Sequence, residues 1–535
     1  MSAVLKHSRP IWLLVAMCCI ATLVFFLFDA ALDIPFIDDY NALLDFIIQY
    51  LRADSIEEKL HFIFRQHNEH RIVYARLVVL LDYYVFGCTN LRHLILMGSA
   101  SLFLMTGIFC VEAYKSCKNI LAIVPIILLS LHFQHMGSLL WATSSLQNLA
   151  VIALACVAIW LMTRSNVFIN CIGIVFAFLT TFASGTGPMI WPVLFLIAIT
   201  SRSMAKCLVT LLSGTASVSL YFYSYHLPTS GNTSISENLV KMPQAILGVI
   251  GGTFDIQEEG TQLIPIIAGF MVISTFNFCL GRTGLRALRR DPGSLFLVGV
   301  FLFGLLSAIA ISFGRGSYVE NRYKVISTLC LLATYNMVLL QLSRRHMDLC
   351  LNLISMACLS LWLVFFWRYY PEMLEYKTVR KADYLSLKNS PQDLLTPFQQ
   401  RMNALEELGV KSPDNPLIQN TFLSSMQRDN VSLPSLKILK RKHKYAVKWQ
   451  GDPGLPEESY LVLRSEKGSF VFPVRKELNQ FSASILYDWL QKGRYTVSVY
   501  LPDQTSFISI QDTIVVDKNV KPWLSSTWFN DAYAP

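Results

Sequence analysis

Apolar runs separated by short basic or polar stretches fill the chain as far as residue 367, and the pattern changes from Tyr369 onward. About 20 apolar residues cross a bilayer as a helix. The segments 10–28, 94–114, 119–134, 139–163, 167–184, 188–200, 207–224, 261–280, 294–313, 324–342 and 348–367 predict about eleven transmembrane helices. The first run, Pro10 to Phe28, is long for a signal peptide and no small-x-small cleavage site follows it, so it reads as an uncleaved span.

Three other apolar stretches do not read as spans. Residues 41–51 (NALLDFIIQYL) predict an amphipathic helix on the membrane surface, and Leu60 to Phe64 a second short one. The stretch 72–87 is too short to span comfortably and holds Arg76 and Asp82. The Gly-rich run 242–254 reads as a re-entrant or surface piece. With 72–87 kept out of the membrane, the basic clusters Lys115/Lys118, Arg164, Arg202/Lys206, Arg282–Arg290 and Arg344/Arg345 all fall on one side. That is the side of Lys6 and Arg9, so these loops and the N-terminus are expected to be cytoplasmic.

Residues 368–433 predict a polar connector with a helix near 397–408. Within 434–535, segments such as KYAVKW, YLVLRS, SFVFPV, RYTVSVYL and SFISI predict a β-sandwich-like domain. The fold class is therefore a polytopic α-helical membrane protein with a C-terminal soluble β-domain on the extracytoplasmic side.

Composition supports this class: 53% of the 535 residues are hydrophobic and only 15% charged, against about 25% charged in globular domains. The net charge of +9 sits mostly in the short loops that set topology, and no nucleic-acid motif accompanies it. The twelve cysteines all lie at or before Cys358, with no CxxC pair, so neither a disulfide framework nor a zinc signature is present. There is no internal repeat, which counts against a transporter.

Ionisable chemistry concentrates in the loop after the first span. Asp38 and Asp39 follow the Pro35-Phe36 turn and are candidates for a general base or a metal-holding pair, against plain solvated acids. His67-Asn68-Glu69-His70-Arg71 follows in the same loop. Its HxxH spacing would put both rings on one face of a helix, against a simple polar helix start. The loop GRGSYVENRYK carries Arg315, Arg322 and Lys324 on the side where positive charge is disfavoured. Either an anionic ligand or pairing with Glu320 or lipid headgroups accounts for them. Two weaker patches are His132/Gln134/His135 with Trp141 and Gln147, and Ser184-Gly185-Thr186-Gly187-Pro188 with Trp191. The second is no P-loop, and the tryptophans serve either as interfacial belt residues or as sugar-stacking faces.

An acidic motif in the first extracytoplasmic loop (33–93), juxtamembrane helices, a multi-span domain over 1–367 and a soluble C-terminal domain resemble the GT-C superfamily of membrane glycosyltransferases. QHNEHRIVYARLVVLLDYYVFGCTNLRHL is similar to the juxtamembrane region of its aminoarabinose and mannosyl transferase branch, but lacks that branch's His-Pro-Pro. GRGS...NRY resembles the later basic motif. The layout also resembles serotype-converting glucosyltransferases of O-antigen.

The resemblance implies a bacterial inner-membrane enzyme that moves a sugar, such as glucose, from a polyprenyl-phosphate donor to a periplasmic glycan or lipid-linked acceptor. It implies Asp39 or Asp38 as base and Arg315, Arg322, Lys324 and Arg71 around the donor phosphate. His67, Asn68, Glu69, His70, Tyr323, Trp141 and Gln147 would then hold sugar or acceptor. No cofactor is required; a divalent cation stays open without a defined ligand set. A lipid-linked-sugar flippase and an O-antigen polymerase or ligase are the alternatives.

Overall fold

The computed structural model describes residues 2–226, 235–256, 263–315, 321–343, 345–388, 392–408, 437–440, 444–450, 459–465, 468–477, 480–486, 493–501 and 506–516. The fold is mostly helical. Among the described residues, eight helical stretches, Ile120–Leu139 with an interruption, are long and apolar enough to cross a membrane: Arg9–Ala30, Leu91–Cys117, Ile120–Leu139, Ala142–Met162, Met204–Phe222, Leu263–Gly284, Pro292–Gly314 and Met347–Ser386. Shorter apolar helices occupy Val167–Thr181, Gly187–Thr200, Val240–Ile250 and Lys324–Leu339. This architecture is consistent with a polytopic helical membrane protein.

The chain divides into two compact units. The first holds 1–31, 53–81 and 92–371; the second holds 32–52, 82–91 and 372–535. The two units divide at Pro371, and the residues 33–93 are shared between both. Asp38 and Asp39 belong to the second unit, and His67 to Arg71 to the first.

In the first unit, several of the basic loop residues are tied to neighbouring helices. Buried Glu112 accepts from Arg164 Nη2 at 2.9 Å, Trp160 Nε1 at 2.7 Å and Lys115 Nζ at 3.2 Å. Lys206 Nζ caps the carbonyls of Met162 and Arg164, and Asp348 pairs with Arg9 and Asn119. The expected span 119–134 is not one continuous helix. Its helical segment stops at Ser130; Leu131 leaves the helical conformation and His132 is extended before a 3-10 turn over Phe133–His135. A buried carbonyl freed by such a break needs a donor, and Trp362 Nε1 supplies it to Leu131 O at 2.8 Å.

A second irregularity, the π-helical turn Ser145–Leu149, sits against Gly98. A Cβ on Gly98 would lie 2.2 Å from Ser145 Oγ and 2.8 Å from the Ser145 carbonyl carbon, so only glycine permits this approach. Gly98→Ala should destabilise the bundle by about 1–3 kcal/mol through overpacking. A thermal-unfolding scan in detergent would show this, and an unchanged midpoint would mean the π turn yields freely.

The stretch 72–87 is a helix, Val73–Phe86, shorter than a span. Arg76, buried on it, donates through Nη1 to Ile63 O at 2.9 Å and to Arg65 O, closing the end of the helix Ile56–Phe64. Desolvation, with Arg65 and Arg71 nearby, pushes the Arg76 guanidinium down to about 9.

In the second unit, the strands are β1 Lys437–Lys440, β2 Lys444–Gln450, β3 Tyr460–Ser465, β4 Gly468–Pro473, β5 Arg475–Glu477, β6 Gln480–Leu486, β7 Gly493–Leu501 and β8 Ser506–Val516. They form two four-stranded antiparallel sheets, β1-β2-β6-β5 and β4-β3-β7-β8. Tyr460, Leu461, Val462 and Leu463 of β3 are all buried, so this central strand is covered on both faces. The helix Met347–Lys388 brings Ser386 to β4, where its Oγ donates to Val471 O at 2.9 Å and accepts from Val471 N–H at 2.8 Å. The helix Gln392–Glu407 follows, in the place of the expected helix at 397–408.

Candidate functional site

Arg322 is the centre of a cluster in the first unit that joins several sequence-derived patches. It sits in the 3-10 turn Asn321–Tyr323, just before the helix Lys324–Leu339. Its guanidinium carbon lies 5.4 Å from the Tyr323 ring centre and 5.8 Å from that of Trp141. Both contacts fall within cation–π range and hold the fork in place. Ser138 Oγ donates to Arg322 O at 3.5 Å, Ser144 Oγ to Ser138 Oγ at 3.3 Å, and Asn148 Nδ2 to Ser144 Oγ at 3.0 Å.

A small, partly open pocket lies beside this chain of contacts, with about 230 Å³ of empty space when the open solvent at its mouth is counted. Its polar lining is Arg322, Tyr323, Asn148, Ser184 and Thr186; its apolar lining is Val151, Ile152, Ile311, Val325 and Ile326. Asn148 was not singled out from sequence. It lies one residue past Gln147 in the π turn, and that wider turn is invisible in a uniformly apolar helix pattern. Gln147 itself is buried in the same turn.

Lys324 is fully buried, and its Nζ donates to Asp255 O at 2.8 Å and pairs with Asp255 Oδ2 at 3.3 Å. Gln134 Nε2 joins the same segment through Thr253 O at 3.2 Å and Asp255 O at 3.1 Å. Beside them, the rings of His132 and His135 stack at 4.5 Å, His132 lies 4.3 Å from Phe365, and His135 Nε2 is 3.3 Å from Thr328 Oγ1. The backbone of Arg315 ends the helix Pro292–Arg315; its side chain and residues 316–320 lie outside the described residues.

The HNEHR segment is not helical. His67 and His70 close a tight turn by two backbone hydrogen bonds, His67 N–H to His70 O at 2.7 Å and His70 N–H to His67 O at 2.8 Å. Asn68 takes the left-handed conformation (φ 48°) at its tip, one of the few side chains that tolerate it. The helix starts later, at Val73. Burial first, then the Arg76 guanidinium, push His67 down to about 3, so it is neutral near pH 7. His70 Nδ1 accepts the Gly185 N–H at 3.1 Å, and its Nε2 lies 3.4 Å from Glu69 Oε1. Two sequence patches, HNEHR and SGTGP, therefore meet.

Arg71 is placed differently from the phosphate-binding role expected of it. Its Nε donates to Tyr221 O at 2.5 Å, Nη1 to Phe64 O and Nη2 to Tyr223 O. These carbonyls lie at the C-terminal ends of the helices Ile56–Phe64 and Met204–Phe222, where uncapped carbonyls attract cations. Every nitrogen of the fork is engaged there, and Arg71 clamps two helix ends.

In the second unit, Asp39 is 1% exposed. Its Oδ2 accepts the Phe36 N–H at 3.0 Å, and its own N–H donates to Phe36 O at 2.9 Å, across a turn with Ile37 at φ 45°. Asp38 is half-buried. Among the described residues, no three His, Cys, Asp or Glu side chains form a metal-holding group.

No family model, no curated protein and no solved structure matches the chain.

Proposed function

We propose that the protein is a GT-C-type membrane glycosyltransferase that takes a polyprenyl-phosphate sugar as donor and transfers the sugar to a glycan or lipid-linked acceptor. The observation that carries this reading is the Arg322 cavity. It combines one guanidinium within cation–π range of Trp141 and Tyr323 with small hydroxyl and amide groups over an apolar wall. That pairing suits a ligand with a phosphate head and a hydrocarbon extension. In the proposed reaction, an acceptor hydroxyl attacks the anomeric carbon, the bond to the phosphate oxygen breaks, and the leaving polyprenyl phosphate carries the growing negative charge. Arg322 stabilises that charge. Tyr323, which lines the cavity, offers a flat face to a sugar.

Asp38, half-buried beside the turn in which Asp39 accepts the Phe36 N–H, is the candidate base that takes the acceptor proton. The periplasmic location of the reaction rests on the disposition of the basic loops. The test compares Asp38→Asn and Asp39→Asn in membranes supplied with polyprenyl-phosphate sugar, by the sugar recovered on the acceptor. Asp38→Asn is expected to lower transfer by about 10²–10⁴-fold. Asp39→Asn retains an amide oxygen for the Phe36 N–H and should lower it far less. Equal, undiminished transfer in both variants and in the double variant would remove the carboxylate base from the mechanism.

A lipid-linked-sugar flippase is the second reading, favoured by the helix break at Leu131–His132, since broken helices mark transport sites. A protein that moves labelled lipid-linked sugar between leaflets without transferring the sugar would establish it.

A further inference from the structure

We infer that His70 is a positioning residue: its neutral ring holds the Ser184–Thr186 turn and so sets the hydroxyl rim of the Arg322 cavity. The functional half of this inference rests on the cavity taking the donor phosphate; the structural half does not.

The contact is direct. Gly185 N–H donates to His70 Nδ1 at 3.1 Å, and the residues on either side of that amide, Ser184 and Thr186, line the cavity. The approach requires glycine, because a Cβ at Gly185 would lie 2.5 Å from Nδ1. The far end of the turn is also fixed, since a Cβ at Gly187 would meet Thr180 O at 2.0 Å. The near end is set by His70.

His70 is itself anchored without help from Gly185. Its turn is closed by the paired His67 and His70 backbone bonds, Gln66 Nε2 donates to Asn68 O at 2.6 Å, and Tyr225 Oη donates to Glu69 O at 3.0 Å.

The protonation state follows from the geometry. A ring nitrogen that accepts an N–H carries no proton, so the proton of the neutral ring sits on Nε2, facing Glu69 Oε1 at 3.4 Å. Protonating Nδ1 would set two N–H groups against each other and release the turn. The groups facing the turn are Glu69, whose carboxylate lies 3.4 Å from Nε2, Tyr225, whose hydroxyl donates to Glu69 O, and the guanidinium groups of Arg65 and Arg76, which act on the adjoining His67. The latch is closed while the ring is neutral and opens when Nδ1 is protonated.

The test uses the full chain in detergent or nanodiscs, with two readouts. Hydrogen exchange of the peptide covering 183–187, corrected for intrinsic rate, should lose protection on going from pH 8 to 5.5 in the wild type. His70→Asn places an amide oxygen near the Nδ1 position and should stay protected throughout; His70→Gln places it near Nε2 and should be unprotected throughout.

Binding of farnesyl phosphate should weaken about tenfold more on acidification in the wild type than in His70→Asn, the effect of one lost hydrogen bond. Exchange that is independent of pH in the wild type would overturn the latch. Exchange that titrates while the wild type and His70→Asn respond alike in affinity would overturn the positioning role. Titrating exchange with no farnesyl phosphate binding in any variant would instead overturn the donor-site reading and leave the latch standing.

Discussion

Arg322→Gln is expected to lower sugar transfer, as kcat/KM for the polyprenyl-phosphate donor, by about 10²–10³-fold, or about 2.7–4 kcal/mol. In the proposed reaction the phosphate oxygen gains charge as the anomeric bond breaks, so a cation placed against it would act more on the transition state than on the bound donor. Most of the loss should therefore fall on kcat rather than KM. Arg322→Lys keeps the charge but loses the planar fork that Trp141 and Tyr323 hold at 5.8 and 5.4 Å, and should recover only part of the activity. Initial rates in nanodiscs, with folding verified by thermal midpoint, decide the matter. A rate within twofold of wild type for Arg322→Gln would remove the guanidinium from the donor site.

The elements legible in the sequence are those specified by local pattern; the rest depend on distant partners. Each of the eleven apolar segments contains a helix because length and composition alone require one. The interruption at Leu131–His132 could not be read, because nothing in LLSLHFQH excludes a helix; the Trp362 donor that satisfies the freed carbonyl lies 231 residues away. HxxH spacing suits one face of a helix and equally the two ends of a four-residue turn. Asn68 at φ 48° takes the second option.

Arg71 and Arg322 look alike as basic residues in polar segments. They differ in their surroundings: helix-end carbonyls from two elements engage Arg71, whereas aromatic faces and a cavity meet Arg322. The acidic pair divides in the same way. Asp39 turns inward to the Phe36 N–H, a choice set by the left-handed Ile37, which no alternation of polar and apolar residues announces.

The first-loop helix carries a second consequence of distant pairing. Arg401 is completely buried, and its Nε and Nη2 grip Asp45 Oδ1 and Oδ2 at 2.6 and 2.9 Å, while Nη2 also reaches Asn41 Oδ1 at 2.8 Å. The Tyr40 ring lies 5.9 Å from the same guanidinium carbon. This bidentate pair fastens the amphipathic stretch 40–52 to the helix Gln392–Glu407, which is why those residues belong to the second unit. Removing one partner leaves the other charge buried and uncompensated, so Arg401→Leu should cost about 3–5 kcal/mol. The double variant Asp45→Leu/Arg401→Leu removes both charges and should regain most of that loss, because an apolar pair of similar volume often equals a buried ion pair. Thermal unfolding of the full chain in detergent, with protease sensitivity of the β-domain as a second readout, measures the cycle. If Arg401→Leu melts with the wild type, the pair contributes nothing. If the double variant is as unstable as the single, the loss comes from packing of the long side chain rather than from its charge.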